Sequence, residues 1–330
     1  MKKWNVILGV DVSKLTLDIS SAELELYVKI DNCSQGFKVF QKWCKTHGIA
    51  LQQTLIVMEY TGGYEYRFMQ FCDAFSIAYC RVPGLEIKNS MGMTRGKSDH
   101  ADSYRISKYG EEKIKTLEPS KAVDNNILSL RQLLSFRKRL VRENAGMQST
   151  LTERRHMYEI KTADTITRII KAKIKSNTQH IIQLEKELSE IISRNEALLL
   201  NYRIITSIKG IGKINAWMTI AYTENFTSFA NARKYAVYVG VLPFGHSSGT
   251  SIKGRTRVSH LANKELKQEL NQAGKAAINH DPEIRAYAER KLHNKCFPLV
   301  LNNVKFKLIL RMFSLVKRGE MYVENYKRAA

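Results

Sequence analysis

The sequence is short of cysteine, of proline, of acidic residues and of long apolar runs. Its five cysteines, Cys33, Cys44, Cys72, Cys80 and Cys296, are odd in number and show no C-x-x-C spacing. That excludes a disulfide framework and leaves no zinc pattern, so reduced thiols are expected. No stretch approaches the ~18 consecutive apolar residues of a membrane span, and no cleavable leader is recognisable, so a cytoplasmic protein is expected. Proline is absent from residues 120–200 and glycine is scarce there, which permits long unbroken helices. Acidic groups number 31 against 53 Lys and Arg, a net charge of +22. A surface of that sign attracts polyanions, of which nucleic acid is the commonest.

What is present suffices for a folded protein of two or three domains: 330 residues, 44% hydrophobic and 25% charged. The positive charge is graded along the chain. Residues 1–118 carry 16 basic and 14 acidic groups, 119–200 carry 15 and 9, and 201–330 carry 22 and 8. The polyanion is therefore expected on the C-terminal part, and a metal site fits best in the first part. The three segments serve as the expected domains.

In the first segment, WNVILGVDV, TLDISSA and ELYVKID read as three strands, TLIVMEY as a fourth and IAYCRV as a fifth. GFKVFQKWCKTHG and YEYRFMQFCDAF have the spacing of amphipathic helices, and residues 85–112 turn helical again. Such an order suggests a mixed sheet with helices packed on it, an α/β domain. In the middle segment Ile170, Ile174, Ile181, Leu184, Leu188, Ile191 and Leu198 recur at alternating three- and four-residue steps, with Asn177 and Asn195 in two seam positions. A heptad coiled coil and a helix packed within one chain both fit this pattern. The last segment opens on IITSIKGIGKINAWMTIAY: helix, glycine turn, helix. Lys209, Gly210, Gly212 and Lys213 there are a candidate phosphate cradle or a packing device. VGVLPFGHSSGTSIKGRTRVSHLANKELKQEL follows as a loop-like stretch, with Lys253, Arg255, Arg257 and Lys267 as candidate nucleic-acid contacts. Basic amphipathic helices complete the chain.

Four carboxylates stand out in the least basic segment. Asp11 in ILGVDVSK and Glu59 in IVMEYTGG fall near the ends of two strands; Asp99 and Asp102 in KSDHADS lie one helical turn apart. Taken singly, Asp11 can cap a turn, Glu59 can pair with Arg95 and Asp99 can cap a helix. Together they form an oxygen-donor set suited to Mg²⁺ or Mn²⁺, and two such ions serve phosphoryl transfer.

GVDVSK, MEYTGGY and KSDHADS, followed by the GIG hairpin and VGVLP…HSSGTS, resemble the signature blocks of the DEDD transposases. These are the Piv-like recombinases of the IS-one-ten/IS-eleven-eleven insertion-sequence family. The resemblance runs in order over nearly the whole chain. It implies a RuvC-like, ribonuclease H-fold domain over 1–118, a helical coiled-coil linker and oligomerisation region over 119–200, and a mostly α transposase domain over 201–330 with a helix-hairpin-helix-like element. It further implies that Asp11, Glu59, Asp99 and Asp102 are the metal-binding tetrad, holding two ions. Ser248, immediately before Gly249, stands in the place of the nucleophile, with Ser247 as the alternative. Implied partners are donor and target DNA, a structured noncoding bridge RNA and further copies of the chain, as a dimer or tetramer.

This chain departs from the family pattern at Ser103, where alanine is usual, and at Lys267, where arginine is usual. The expected activity is metal-dependent DNA strand cleavage and rejoining through a phosphoserine link. The alternative is a RuvC-like nuclease that hydrolyses DNA with water and no covalent intermediate; a third reading is a nucleic-acid-binding protein without catalysis.

Overall fold

The computed structural model describes residues 4–90, 98–122, 124–157, 164–248 and 252–324; for 245–248, 252–255 and 257 it describes the backbone alone. Two compact units divide the chain, Met1–Ala122 and Val123–Ala330.

The first unit is built on β1 (Val6–Val12), β2 (Thr16–Ser21) and β3 (Leu26–Asp31), then α1 (Ser34–Thr46), β4 (Thr54–Glu59), α2 (Tyr66–Ala74) and β5 (Ala78–Val82). All five expected strands form: Val, Ile and Leu largely bury β1, β2, β4 and β5, while β3 at the sheet edge alternates exposed and covered positions. The strand order is β3-β2-β1-β4-β5, with β1 central, antiparallel to β2 and parallel to β4. β5 continues the parallel half and β3 the antiparallel half. This mixed sheet is compatible with a RuvC-like domain. Rings of Phe37, Phe40, Phe68 and Phe71 pack α1 against α2 with centroids 5.1–6.2 Å apart. The segment after β5 forms α3 (Gly84–Ser90) and α4 (Asp99–Lys113).

α4 lies directly on β1 because the facing residues are small. A Cβ added to Gly9 would fall on the Ser107 amide nitrogen and the Ser103 carbonyl oxygen, and one added to Gly110 would sit 2.7 Å from Ile7 Cγ2. Hydroxyls complete the contact. Ser103 Oγ meets Ser20 Oγ at 2.7 Å, and Ser107 Oγ donates to the Ile7 carbonyl at 3.1 Å while accepting from the Ala22 amide at 3.0 Å. Ser103 and Ser107 are fully buried, and these bonds satisfy hydroxyls that would otherwise be costly to bury. Ser103 thus has a hydroxyl partner in β2.

The second unit begins with an antiparallel pair, α5 (Asn125–Met157) and α6 (Thr165–Arg194). Arg137 pairs with Glu185 at 2.8 Å, and Asn177 reaches Glu143 at 3.4 Å. The α6 seam thus packs within the chain, with Asn177 and Leu188 buried. The heptad does not run on to Leu198. Asn195 is extended, and its side chain accepts from the Leu198 amide at 3.1 Å, capping α7 (Glu196–Thr206). Asparagine competes for backbone donors at a helix start better than it fills a seam.

α8 (Lys213–Thr223) and α9 (Ala232–Tyr238) follow. The stretch expected as a loop then forms a hairpin of β6 (Phe244–Ser248) and β7 (Ile252–Arg257). α10 (Lys264–His280), α11 (Pro282–Leu292) and α12 (Phe297–Arg318) complete the unit. Its core gathers residues from α5 through α12, including Leu130, Leu188, Trp217, Tyr235, Leu270 and Leu308. No helix among the described residues is long and apolar enough to cross a membrane.

The packing of α4 on β1 makes a paired prediction. Gly9→Ala forces the helix off the sheet and should cost ~1–3 kcal/mol or more, the usual range for overpacking. Gly146→Ala, in open space within α5, should stabilise by ~0.5–1 kcal/mol. Chemical denaturation of both variants checks this; a neutral Gly9→Ala would contradict the close approach.

Candidate metal centre

Asp11 and Glu59 stand at the C-terminal ends of the neighbouring parallel strands β1 and β4, where the paired ladder has just passed Val10 and Met58. Carboxyl ends of parallel strands are where open sheets take their ligands. Glu59 has its place because residue 84 has no side chain: a Cβ on Gly84, at the start of α3, would coincide with the Glu59 carboxylate.

Asp99 and Asp102 come from the first turn of α4. Ser98, not Asp99, is the N-cap; its hydroxyl accepts from the Ala101 amide at 3.1 Å. Asp99 is thereby left free of capping duty, and both acids lie where the helix dipole favours negative charge.

The four acidic residues meet electrostatically at Asp11. Burial, then the charges of Asp102, Asp99, Glu59 and Asp18 in that order, push the Asp11 carboxyl from 3.8 up to about 6. Asp18 was not foreseen from the sequence. It is 2% exposed, lies directly across the β1–β2 ladder from Asp11, accepts from the Tyr27 hydroxyl at 2.5 Å and pairs with Lys29 at 3.3 Å. Its only sequence signal is one acidic residue among the apolar positions of TLDISS.

Cations hold two of the tetrad. Lys29 lies 3.7 Å from Asp99, and Arg105 donates to Asp102 at 2.8 Å. Among the described residues no three His, Cys, Asp or Glu side chains are drawn into a finished metal cluster. The donor set nevertheless fits a hard divalent cation: all oxygen, half-buried except for Asp99, and with an excess of negative charge that raises the Asp11 pKa. Arg95, the other cation suggested for Glu59, lies outside the described residues.

The candidates in the second unit are a separate set. Ser248 ends β6 opposite Ile252, and Ser247 pairs with Lys253; Lys253, Arg255 and Arg257 occupy alternating positions of β7. The side chains of these residues lie outside those described. In the glycine turn, Gly210 has φ +94°, and a Cβ there would sit 2.6 Å from the Ala273 carbonyl of α10. Gly210 therefore serves packing. Gly212 faces open space before α8, while Lys209 pairs with Glu324 at 2.8 Å and Lys213 with Glu185 at 2.6 Å. Both lysines of the turn thus hold carboxylates. Lys267 lies half-buried on α10.

The first unit thus gathers carboxylates at its strand ends, and the chain carries its excess of positive charge mainly over residues 201–330. Comparison with known proteins gives the class. A DEDD transposase model of the IS110 type matches residues 8–154, and one described as "Transposase IS116/IS110/IS902 family" matches residues 202–289. The pilin gene-inverting protein of Moraxella lacunata is 24% identical over 275 residues, 80% of each chain, and that of Moraxella bovis matches equally. An insertion element IS110 protein of 43.6 kDa from Streptomyces coelicolor is 30% identical over 120 residues, 36% of this chain and 29% of its own length. The chain belongs to the IS110 family of DEDD transposases.

The Asp11 shift fixes a pH dependence. Folding raises this pKa, so below pH 3.8 the site costs nothing. As pH rises towards 6 the unfolded chain releases the proton first and stability is lost; above that the penalty is constant. In chelator, Asp11→Asn should melt above the wild type at pH 7, and the gap should close by pH 4. Added Mg²⁺ at pH 7 should raise the melting temperature of the wild type alone. A gap independent of pH would contradict the clustering.

Proposed function

We propose that this chain is the transposase of an insertion element, a site-specific recombinase that cleaves and rejoins donor and target DNA. The observation that carries the reading is the family match, supported by Asp11 and Glu59 at neighbouring strand ends and by Asp99 and Asp102 in the first turn of α4. In this proposal Asp11, Glu59, Asp99 and Asp102 hold Mg²⁺ or Mn²⁺, as two ions, which when bound supply stabilisation of the negative charge that develops on a phosphate. The absence of a side chain at Gly84 leaves room for the Glu59 carboxylate, and α4 carries both aspartates in its first turn. Lys29 and Arg105 pair with Asp99 and Asp102, so a bound cation would compete with them for these two carboxylates.

Ser248 is the proposed nucleophile. Its Oγ gives up a proton to a base and bonds to a DNA phosphorus. The bond from phosphorus to a deoxyribose oxygen breaks, and that oxygen takes up a proton. The phosphoserine link conserves the energy of the broken diester for rejoining. A structured bridge RNA from the element selects the DNA partners, and the chain acts as a homo-oligomer, dimer or tetramer. The net charge of +14 over residues 201–330 supports a polyanion on that part. The tetrad and Ser248 belong to different compact units, and the proposal requires both.

Mg²⁺-loaded protein incubated with cognate DNA and quenched in denaturant tests the reading. A covalent protein–DNA adduct is expected with wild type and with Ser247→Ala, and none with Ser248→Ala. Cleavage unchanged in Ser248→Ala would leave a water-using nuclease instead.

A further inference from the structure

Lys305, on α12, is the one buried lysine among the described residues, at 3% exposure. Its ammonium donates to Asn271 Oδ1 on α10 at 2.9 Å, and among the described residues no carboxylate pairs with it. The same unit treats its buried acid differently: Asp281, 1% exposed, is met by Arg311 at 2.5 Å and by the Tyr322 hydroxyl at 3.1 Å. Lys305 instead has a second cation for company. Burial, and then the charge of Lys267, bring its pKa down to about 8. An ammonium has three donors, and Asn271 takes one. A buried charge so placed costs stability unless an anion completes it.

The surroundings connect this pair to the serine-bearing hairpin. Lys267 and Asn271 lie one turn apart on α10, facing Lys305. α10 and α12 approach closely at Gly274, where a Cβ would sit 2.8 Å from Leu301 Cδ1 and 3.5 Å from Lys305 Cγ. A Cβ on Gly240 would lie 3.8 Å from Lys267 Cδ, and Asn302 donates to the Val241 carbonyl at 2.5 Å. The seam between α10 and α12 therefore abuts the turn that leads into β6.

We propose that Lys305, Lys267 and Asn271 form a seat for one backbone phosphate of nucleic acid, next to the strand that carries Ser248. This rests on the recombinase reading only in its choice of ligand. The phosphate supplies the missing counter-charge, and Asn271 orients the ammonium toward it. Stability is given up in the free protein so that the bound state gains a desolvated charge pair.

The test uses full-length protein and two probes of unrelated sequence, a DNA duplex and a single-stranded RNA, each titrated over a range of salt. Lys305→Met should melt above the wild type, since a methionine of similar length carries no buried charge. It should bind at least one probe about tenfold more weakly, with the slope of log K against log salt reduced by ~0.7–0.9, the value of one phosphate contact. Loss with the duplex alone assigns the phosphate to DNA, and loss with the RNA alone to RNA. Lys267→Met, at a half-exposed position, should lower the slope in the same way even if Lys305→Met fails to fold. Unchanged slopes with both probes would overturn the seat. DNA cleavage by the same wild-type preparation is scored separately, so its absence would count against the recombinase reading and not against the seat.

Discussion

The approach of α4 to β1 is the contact on which the site depends. Gly9 and Gly110 supply absence of side chain, and Ser103 and Ser107 supply hydroxyls that bond across the gap. A larger residue at position 9 would lift the helix and carry Asp99 and Asp102 away from Asp11 and Glu59. Because the interior is close-packed, the helix cannot settle for a slightly looser seat. The same logic operates at Gly84, where a missing side chain makes room for the Glu59 carboxylate. Small residues, not the acids, set the geometry of the acids.

That geometry concentrates negative charge. Asp11 feels burial and four neighbouring carboxylates, and its proton is held to about pH 6 in consequence. Lys29 and Arg105 relieve part of the repulsion by drawing Asp99 and Asp102 to themselves. A divalent cation of higher charge density neutralises several carboxylates at once, which two partly exposed side-chain cations do not. In the proposed function, a bound metal ion would neutralise this concentration of negative charge.

Much of the first unit was legible in the sequence. Strands such as VILGVDV and TLIVME declare themselves through short runs of β-branched and aliphatic residues, and the positions of Asp11 and Glu59 follow from where those strands end. What was illegible depended on distant contacts. Nothing local to Gly9, Gly84 or Asp18 reveals the partner that gives each its role. The β6–β7 pair reads as a loop in the sequence because its Ser-, Gly- and Lys-rich strands lack apolar alternation. Asn195 fits a heptad seam by spacing, which does not distinguish a seam asparagine from a helix cap; the extended backbone does. The glycine turn at 210–212 suits phosphate binding and packing alike in sequence, and the contact of Gly210 with α10 favours packing.

The most direct measurement is anomalous diffraction from crystals of the protein soaked in Mn²⁺. Manganese peaks coordinated by Asp11, Glu59, Asp99 and Asp102, with Asp99 released from Lys29 and Asp102 from Arg105, are the expected result. Well-ordered crystals that bind manganese elsewhere while these four carboxylates stay metal-free would contradict a metal-dependent tetrad.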